Sequence, residues 1–257
     1  MFNLESFDIK LNTEFIGRNF IYSDEIDSTN SFLLNKENKF NSDGTVILAE
    51  KQTKGRGRRD SVWYSAKGQN LTFSILLTSK KIYSKKFNLI NFAASLSVAL
   101  AIENLFQLRT ELKWPNDVLI GGKKIAGILL ESTSKGSKIE RLVIGIGINV
   151  NQAMFQGVYN IPPTSIKTEL NENVEREKLL AEFLNTFEEM LEKIKSNPDE
   201  IMRDWKSRCN LIGEKIIIEG GESTKYGIFD DLDEDGFILL NVRGKIEKIH
   251  FGDVTVL

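Results

Sequence analysis

The chain has 257 residues, 41% of them hydrophobic and 27% charged, with a net charge of −2. That is room for one large folded unit and a small one, and the balance excludes a general electrostatic attraction to nucleic acid. A single cysteine, Cys209, and a single histidine, His250, exclude an intrachain disulfide, a cysteine-rich metal site and a multi-histidine zinc centre.

Residues 1–19 read as a lead-in without the basic start and apolar run of a signal peptide. Residues 19–26 read as a strand. Asp27-Ser28-Thr29-Asn30 then stands before the amphipathic Phe32-Leu33-Leu34 and opens a helix; the same polar residues suit either capping or a ligand. Thr45–Ala49 is a second strand and leads directly into Gln52-Thr53-Lys54-Gly55-Arg56-Gly57-Arg58-Arg59. Two alternated glycines keep that stretch out of a stable helix and expose its N–H groups, while the guanidiniums offer rigid donor forks. Such a loop suits closure over a phosphate or carboxylate, or a solvated basic turn.

Asn70–Leu77 reads as a central strand, and Phe87–Phe106 as a helix apolar around most of its girth. No uninterrupted apolar run reaches the ~20 residues of a membrane span, so the expectation is a cytoplasmic protein. Glu111–Trp114 is a strand interrupted by Pro115, and Val118–Glu131 is a hairpin turning at Gly121-Gly122. Leu142–Val150 is a buried strand. Its Gly145-x-Gly147-x-x-Val150 lacks the third glycine of a dinucleotide-binding turn, so the glycines are expected to let something pack flat on one strand face.

Residues 152–168 read as a polar loop, followed by a helix over 174–196 and another from Asn197-Pro198 to near Cys209. From residue 211 short strands alternate with turns: 215–219, 225–229, 237–240, 245–250 and 254–256. That spacing predicts a small β-barrel and a boundary between residues 1–210 and 211–257, with His250 on a barrel strand and Cys209 a packed thiol.

Four separated motifs stand in order: Asp27-Ser28-Thr29-Asn30, Gly55-Arg56-Gly57-Arg58-Arg59 with Trp63, Lys113-Trp114-Pro115-Asn116-Asp117, and Lys124-Ile125-Ala126-Gly127-Ile128. Gly145-Ile146-Gly147-Ile148-Asn149 adds a fifth. At these intervals they resemble the biotin protein ligases, or biotin–[acetyl-CoA-carboxylase] ligases, over almost the whole chain from about residue 20. The resemblance implies an α+β catalytic domain like that of class II aminoacyl-tRNA synthetases, with a mixed sheet, followed by an SH3-like barrel. It implies that biotin and ATP form biotinyl-5′-AMP, and that the biotinyl group then passes to a lysine of a biotin carboxyl carrier protein.

Carried onto this sequence, the resemblance gives biotin Ser28, Thr29, Asn30, Gln52, Arg56, Gly57, Arg58, Lys124, Gly127 and Ile128. It gives the nucleotide Arg56, Arg58, Trp63, Lys113, Asn116 and Asn149, with Trp63 either against the adenine or a core tryptophan. Arg58, Lys113, Asp117 and Lys124 form the catalytic set. Asp117 is the candidate Mg²⁺ ligand, unless it merely closes an Asx turn after Pro115. A carboxylate attacking a phosphate brings two anions together, which is what this cation set would offset.

The chain departs from the family at Asp60-Ser61-Val62, where many members continue Gly-Arg-x, and no role is carried onto Asp60 or Ser61. Ser28 lies too early for a winged helix-turn-helix ahead of it, so the expectation is a monofunctional ligase without DNA or membrane partners; the resemblance allows a homodimer, which no residue in the sequence settles. Lipoate or octanoyl transfer on a related fold is the rival; its basic motif ends in a histidine, and none precedes His250. A non-catalytic RNA-binding module is the other rival and leaves Lys113–Asp117 unexplained.

Overall fold

The structure, a computed structural model, describes residues 2–40, 42–59, 61–78, 87–136, 138–220 and 223–257. Asp60, part of the departure from the family motif, lies outside the described residues.

The larger sheet is mixed and seven-stranded. Its strands are β1 (Phe20–Ser23), β2 (Val46–Ala49), β3 (Leu71–Leu77), β4 (Glu111–Lys113), β5 (Asp117–Ile120), β6 (Lys123–Lys135) and β7 (Lys138–Ile148), in the order β1-β2-β3-β7-β6-β5-β4. Only β1–β2 is parallel; every other pairing is antiparallel. The hairpin at Gly121-Gly122 forms as the sequence predicts, with both glycines at positive φ. The next two strands run further than expected and pair with each other along their length.

Strand alternation divides the sheet into two unlike faces. Val46, Leu48, Leu71, Phe73, Ile75, Ile144, Ile146 and Ile148 enter the main core. That core lies under α1 (Leu4–Lys10), α3 (Phe87–Phe106), α5 (Arg176–Ser196) and α6 (Pro198–Lys206). The opposite face carries Thr72, Ser74, Gly127, Gly145 and Gly147, positions that are small or polar. Beside them α2 (Thr29–Leu34) packs Leu33 on Ile47, Leu76 and Val143. Because the helices cover one face, the other is free to carry a site.

Helix α3 is long and apolar enough to cross a membrane by length and composition, contrary to the sequence expectation that no segment approaches that. Here 67% of its most apolar window is buried within the fold. The lead-in contains α1, capped by Asn3, whose Oδ1 accepts from Ser6 N–H at 2.9 Å. Seven residues with one buried anchor, Phe7, are too few to show a periodicity. The expected loop 152–168 ends in α4 (Ile166–Leu170), capped by Ser165.

The C-terminal strands are β8 (Lys215–Gly220), β9 (Ser223–Leu232), β10 (Ile238–Val242), β11 (Lys245–Ile249) and β12 (Asp253–Val256). They form an antiparallel SH3-like sheet in the order β11-β10-β9-β8-β12. Its buried residues, among them Ile216, Ile218, Phe229 and Leu240, join the main core. His250 lies one residue beyond β11 rather than on it, exposed, with its ring 4.6 Å from that of Phe237. Cys209 is buried, and desolvation pushes its thiol up to about 11, an inert packed thiol as expected.

Candidate active site

A cavity of about 610 Å³ opens on the small-residue face of the larger sheet. That volume suits a small-molecule site. Every residue assigned from the sequence to biotin, nucleotide or catalysis lines it, from Ser28, Thr29, Asn30 and Gln52 through Arg56, Gly57, Arg58 and Trp63. Lys113, Asn116, Asp117, Lys124, Gly127, Ile128 and Asn149 complete the set.

The basic stretch is a small hairpin rather than an open loop. Trp63 N–H donates to Gly55 O at 3.1 Å, Gly57 N–H to Ser61 O at 2.6 Å, and Ser61 N–H to Arg58 O at 3.0 Å. Arg59, at φ +50°, adopts the left-handed conformation near the tip. Arg58 Nη1 reaches Asn116 Oδ1 at 3.3 Å and Asp253 Oδ1 at 3.2 Å. Arg59 Nη1 donates to Glu219 O at 2.6 Å and lies 3.2 Å from Asp253 Oδ2. Asp253 and Glu219 belong to the C-terminal sheet, and nothing in their local sequence marks them as neighbours of this hairpin.

The glycine strand does what its spacing predicts. Gly127 and Gly147 are register partners on β6 and β7, and the Trp63 indole lies over both. A Cβ on Gly147 would collide with that ring, and one on Gly145 would collide with the Asn30 amide. Trp63 is therefore a cavity-wall residue, not part of the core. Its Nε1 is buried with no protein partner.

Ser28 caps α2, and its Oγ accepts from Ser31 N–H at 3.4 Å. The next side chains form a polar chain along the wall. Gln52 Oε1 accepts from Thr29 N–H at 2.7 Å and lies 3.0 Å from Thr29 Oγ1. Ser74 Oγ lies 2.7 Å from Thr29 Oγ1 and 2.6 Å from Asn30 Oδ1. Ser74 and Glu131, which partners Asn30 and Arg56, belong to no sequence motif read above; strand alternation alone could have placed them on this face.

Lys113 and Asp117 face each other across the β4–β5 hairpin, the turn being Trp114-Pro115-Asn116. Asp117 opens a strand, and its Oδ1 is ion-paired to Lys124 Nζ at 2.5 Å. Asn116 Nδ2 donates to Ile128 O at 2.6 Å, and Asn149 Nδ2 to Lys124 O at 3.5 Å. Burial is the main reason the Lys113 pKa lies below its usual value, with the Lys124 charge adding to it and Asp117 opposing. Burial likewise lowers Arg58, where Asp253 opposes and Arg59 adds. The cavity thus holds partly desolvated cations poised for anionic ligands. No group of three or more His, Cys, Asp or Glu side chains forms a metal cluster among the described residues.

Fold and site together define a ligase built on the class II aminoacyl-tRNA synthetase-like fold. Residues 22–149 match the biotin/lipoate A/B protein ligase family, and residues 211–257 match the biotin protein ligase C terminal domain. The chain is 32% identical over 251 residues to the bifunctional ligase/repressor BirA of Bacillus spizizenii, covering 96% of this chain and 76% of that protein. It is 33% identical over 202 residues to the biotin–[acetyl-CoA-carboxylase] ligase of Paracoccus denitrificans, covering 76% and 82%. The biotin protein ligase of Aquifex aeolicus in complex with biotin and ATP superposes with a TM-score of 0.81 at 32% identity, over 93% of this chain and 99% of that one. The chain belongs to the biotin protein ligase family.

Proposed function

We propose that this chain activates biotin with ATP as biotinyl-5′-AMP and transfers the biotinyl group to a lysine of a biotin carboxyl carrier protein. The observation that carries the reading is convergence: residues from five separated motifs line one cavity, with the cations Arg56, Arg58, Lys113 and Lys124 and the polar neutral Ser28, Thr29, Asn30 and Gln52 among them. The match of residues 211–257 to a C-terminal domain particular to biotin protein ligases favours biotin over lipoate.

In the first step a biotin carboxylate oxygen attacks the α-phosphorus and pyrophosphate leaves. Arg58, Lys113 and Lys124 offset the charge gathered there, and their desolvation strengthens that interaction. The apolar biotin rings rest against the glycine-lined wall, and Thr29, Gln52 and their neighbours meet the ureido group. Trp63 offers the adenine an aromatic face. In the second step a neutral lysine amine of the carrier attacks the acyl carbonyl, AMP leaves, and the amine proton passes to solvent.

Mg²⁺ fits the donor set in one respect: Asp117 is a cavity-wall carboxylate with a side chain only 15% exposed, and Mg²⁺ uses one or two protein carboxylates alongside phosphate oxygens. Asp117 would hold the ion, which would neutralise triphosphate charge. The proposal includes the division into a catalytic unit, residues 1–210, and a C-terminal unit, residues 211–257, in a cytoplasmic homodimer.

The test is a streptavidin blot of a carboxyl carrier domain incubated with the full chain, ATP, Mg²⁺ and biotin. A labelled carrier band that disappears when ATP is omitted is the expected result. An unlabelled carrier with folded enzyme overturns the reading.

A further inference from the structure

We propose that Glu169 is a positioning residue for Lys124, acting through a strap of backbone, residues 162–164, that holds the lysine turned into the cavity. The inference rests on the ligase reading above, in which the Lys124 charge works at the reacting centre.

Simple alternation along β6 does not put Lys124 there. Gly127 lines the cavity, so an unbroken strand would carry Ile125 on that face and turn Lys124 into the core. The structure has them the other way round. Ile125 and Ala126 are both fully buried in the main core, and Lys124 lines the cavity. The register with β5 gives the reason: Val118 pairs with Ala126 and Leu119 with Lys124, so Ile125 is an extra residue. A bulge of this kind re-aims the side chains around it. Here it puts Lys124 Nζ 2.5 Å from Asp117 Oδ1 and 5.8 Å from the centre of the Trp63 ring.

A bulge interrupts a ladder, and Lys124 lies past the point where β7 could brace it. The pairing of β6 with β7 reaches Ala126 with Ile148, and Asn149 N–H donates to Ile125 O at 2.9 Å. The Lys124 backbone goes to the strap instead. Its N–H donates to Pro162 O at 2.8 Å, and its carbonyl accepts from Thr164 N–H at 2.9 Å. Lys124 and Pro163 thereby form a parallel bridge in the place that β7 has left.

Glu169 pins that strap. From α4 its Oε1 accepts from Thr164 Oγ1 and, at 2.9 Å, from Lys123 Nζ. One carboxylate thus ties the strap to the strand residue next to the lysine. Thr164 is buried, and the Glu169 side chain is 19% exposed. Neither residue lines the cavity, so an effect on the chemistry has to pass through the groups they hold. Without the carboxylate, Lys123 and Thr164 lose their common partner and the strap is free to leave the strand. The bulge then loses two backbone bonds, and Lys124 Nζ its fixed position. Misplacing a group at a reacting centre by about 1 Å can cost on the order of 100-fold in rate.

The experiment measures kcat and KM for pyrophosphate release by the full chain with biotin and ATP. Wild type is compared with Glu169→Ala and Glu169→Gln, and each change is also made on Lys124→Gln. Glu169→Ala is expected to lower kcat about tenfold, with KM for ATP within about threefold. Glu169→Gln keeps an acceptor for Thr164 but not the charge facing Lys123. It should fall between, and it keeps the test available if the alanine variant does not fold. On Lys124→Gln, followed in single turnovers with excess enzyme, the same changes should cost less than about twofold, because the group they position is gone. The Lys124 amide of the ligand-free chain should exchange its hydrogen several-fold faster in Glu169→Ala than in wild type. An unchanged kcat, the same loss in both backgrounds, or an unchanged Lys124 exchange rate overturns the proposal and leaves Glu169 as an anchor of α4 alone. A wild-type enzyme that releases no pyrophosphate with biotin overturns the ligase reading instead.

Discussion

Lys113 is the cavity cation whose environment makes the sharpest demand. Burial disfavours its charged form, the neighbouring Lys124 adds to that, and Asp117 and Asp253 oppose, leaving the pKa below the usual lysine value. A lysine so placed loses its charge at a lower pH than an exposed one. The alkaline limb of kcat/KM for ATP, which reports free-enzyme groups, should therefore begin below the ordinary lysine range. Lys113→Arg should move that limb upward even if its plateau falls, because a guanidinium stays charged. A limb at the same pH in both proteins would assign it to another group. The motif around Lys113 was legible as a strand interrupted by Pro115, but the tight β4–β5 hairpin that sets Lys113 against Asp117 was not read from it. The paired glycines were legible, since a strand written Ile-Gly-Ile-Gly-Ile has one bare face. What would lie on that face was not, and Trp63 arrives there from a different hairpin.

At the scale of elements, the segment ahead of α1, β1, the end of β2 and the start of α5 meet at one buried ion pair. Glu50, directly after β2, is held by Arg176 at the start of α5 through bonds of 2.6 and 2.9 Å. Tyr22 Oη donates to it at 2.8 Å and Phe2 N–H at 3.1 Å. Burial alone would raise the Glu50 pKa. The hydrogen bonds from Arg176 and Tyr22, with the Arg176 charge, outweigh it and hold the group below its usual 4.5. A depressed folded pKa contributes stability that is present above the unfolded value and is lost as pH falls through the folded value. Arg176→Met should cost about 3–5 kcal/mol near neutral pH, because it strands a buried charge. It should also weaken the local pH dependence: without the Arg176 bonds and charge, burial is opposed only by the Tyr22 and Phe2 hydrogen bonds, so the Glu50 pKa moves upward and less stability is lost as pH falls. Urea unfolding between about pH 4 and 7 reads both effects, and an unchanged slope with pH would show that Glu50 is not the responsible group. This pair was invisible in the sequence, since its partners stand 126 residues apart and neither belongs to a periodic pattern. Likewise, the basic hairpin follows from backbone bonds between Gly55 and Trp63 that no side-chain pattern announces.

Across the whole molecule, the C-terminal sheet is bonded to the walls of the cavity. Asp253 receives both Arg58 and Arg59 at 3.2 Å, Glu219 O receives Arg59, and Trp114 Nε1 donates to Gly236 O at 3.1 Å. Both cationic hairpins of the catalytic sheet are thus tied to the same small unit. The Asp253 side chain is 53% exposed, and exposed ion pairs of this kind contribute only about 0–1 kcal/mol to stability. Asp253→Asn should accordingly leave the melting temperature nearly unchanged while freeing the hairpin tip. An acyl-adenylate under that tip would then escape faster, whereas its formation, which depends on cations that remain in place, would change little. The expected outcome is a several-fold faster loss of labelled biotinyl-AMP from the isolated complex, with pyrophosphate exchange within about twofold of wild type. Arg58→Ala, which removes a cation as well as the tie, should lower both. Equal retention by Asp253→Asn and wild type would mean that the C-terminal sheet abuts the hairpin without holding it, and that closure resides in the Arg56–Glu131 pair at the hairpin's base.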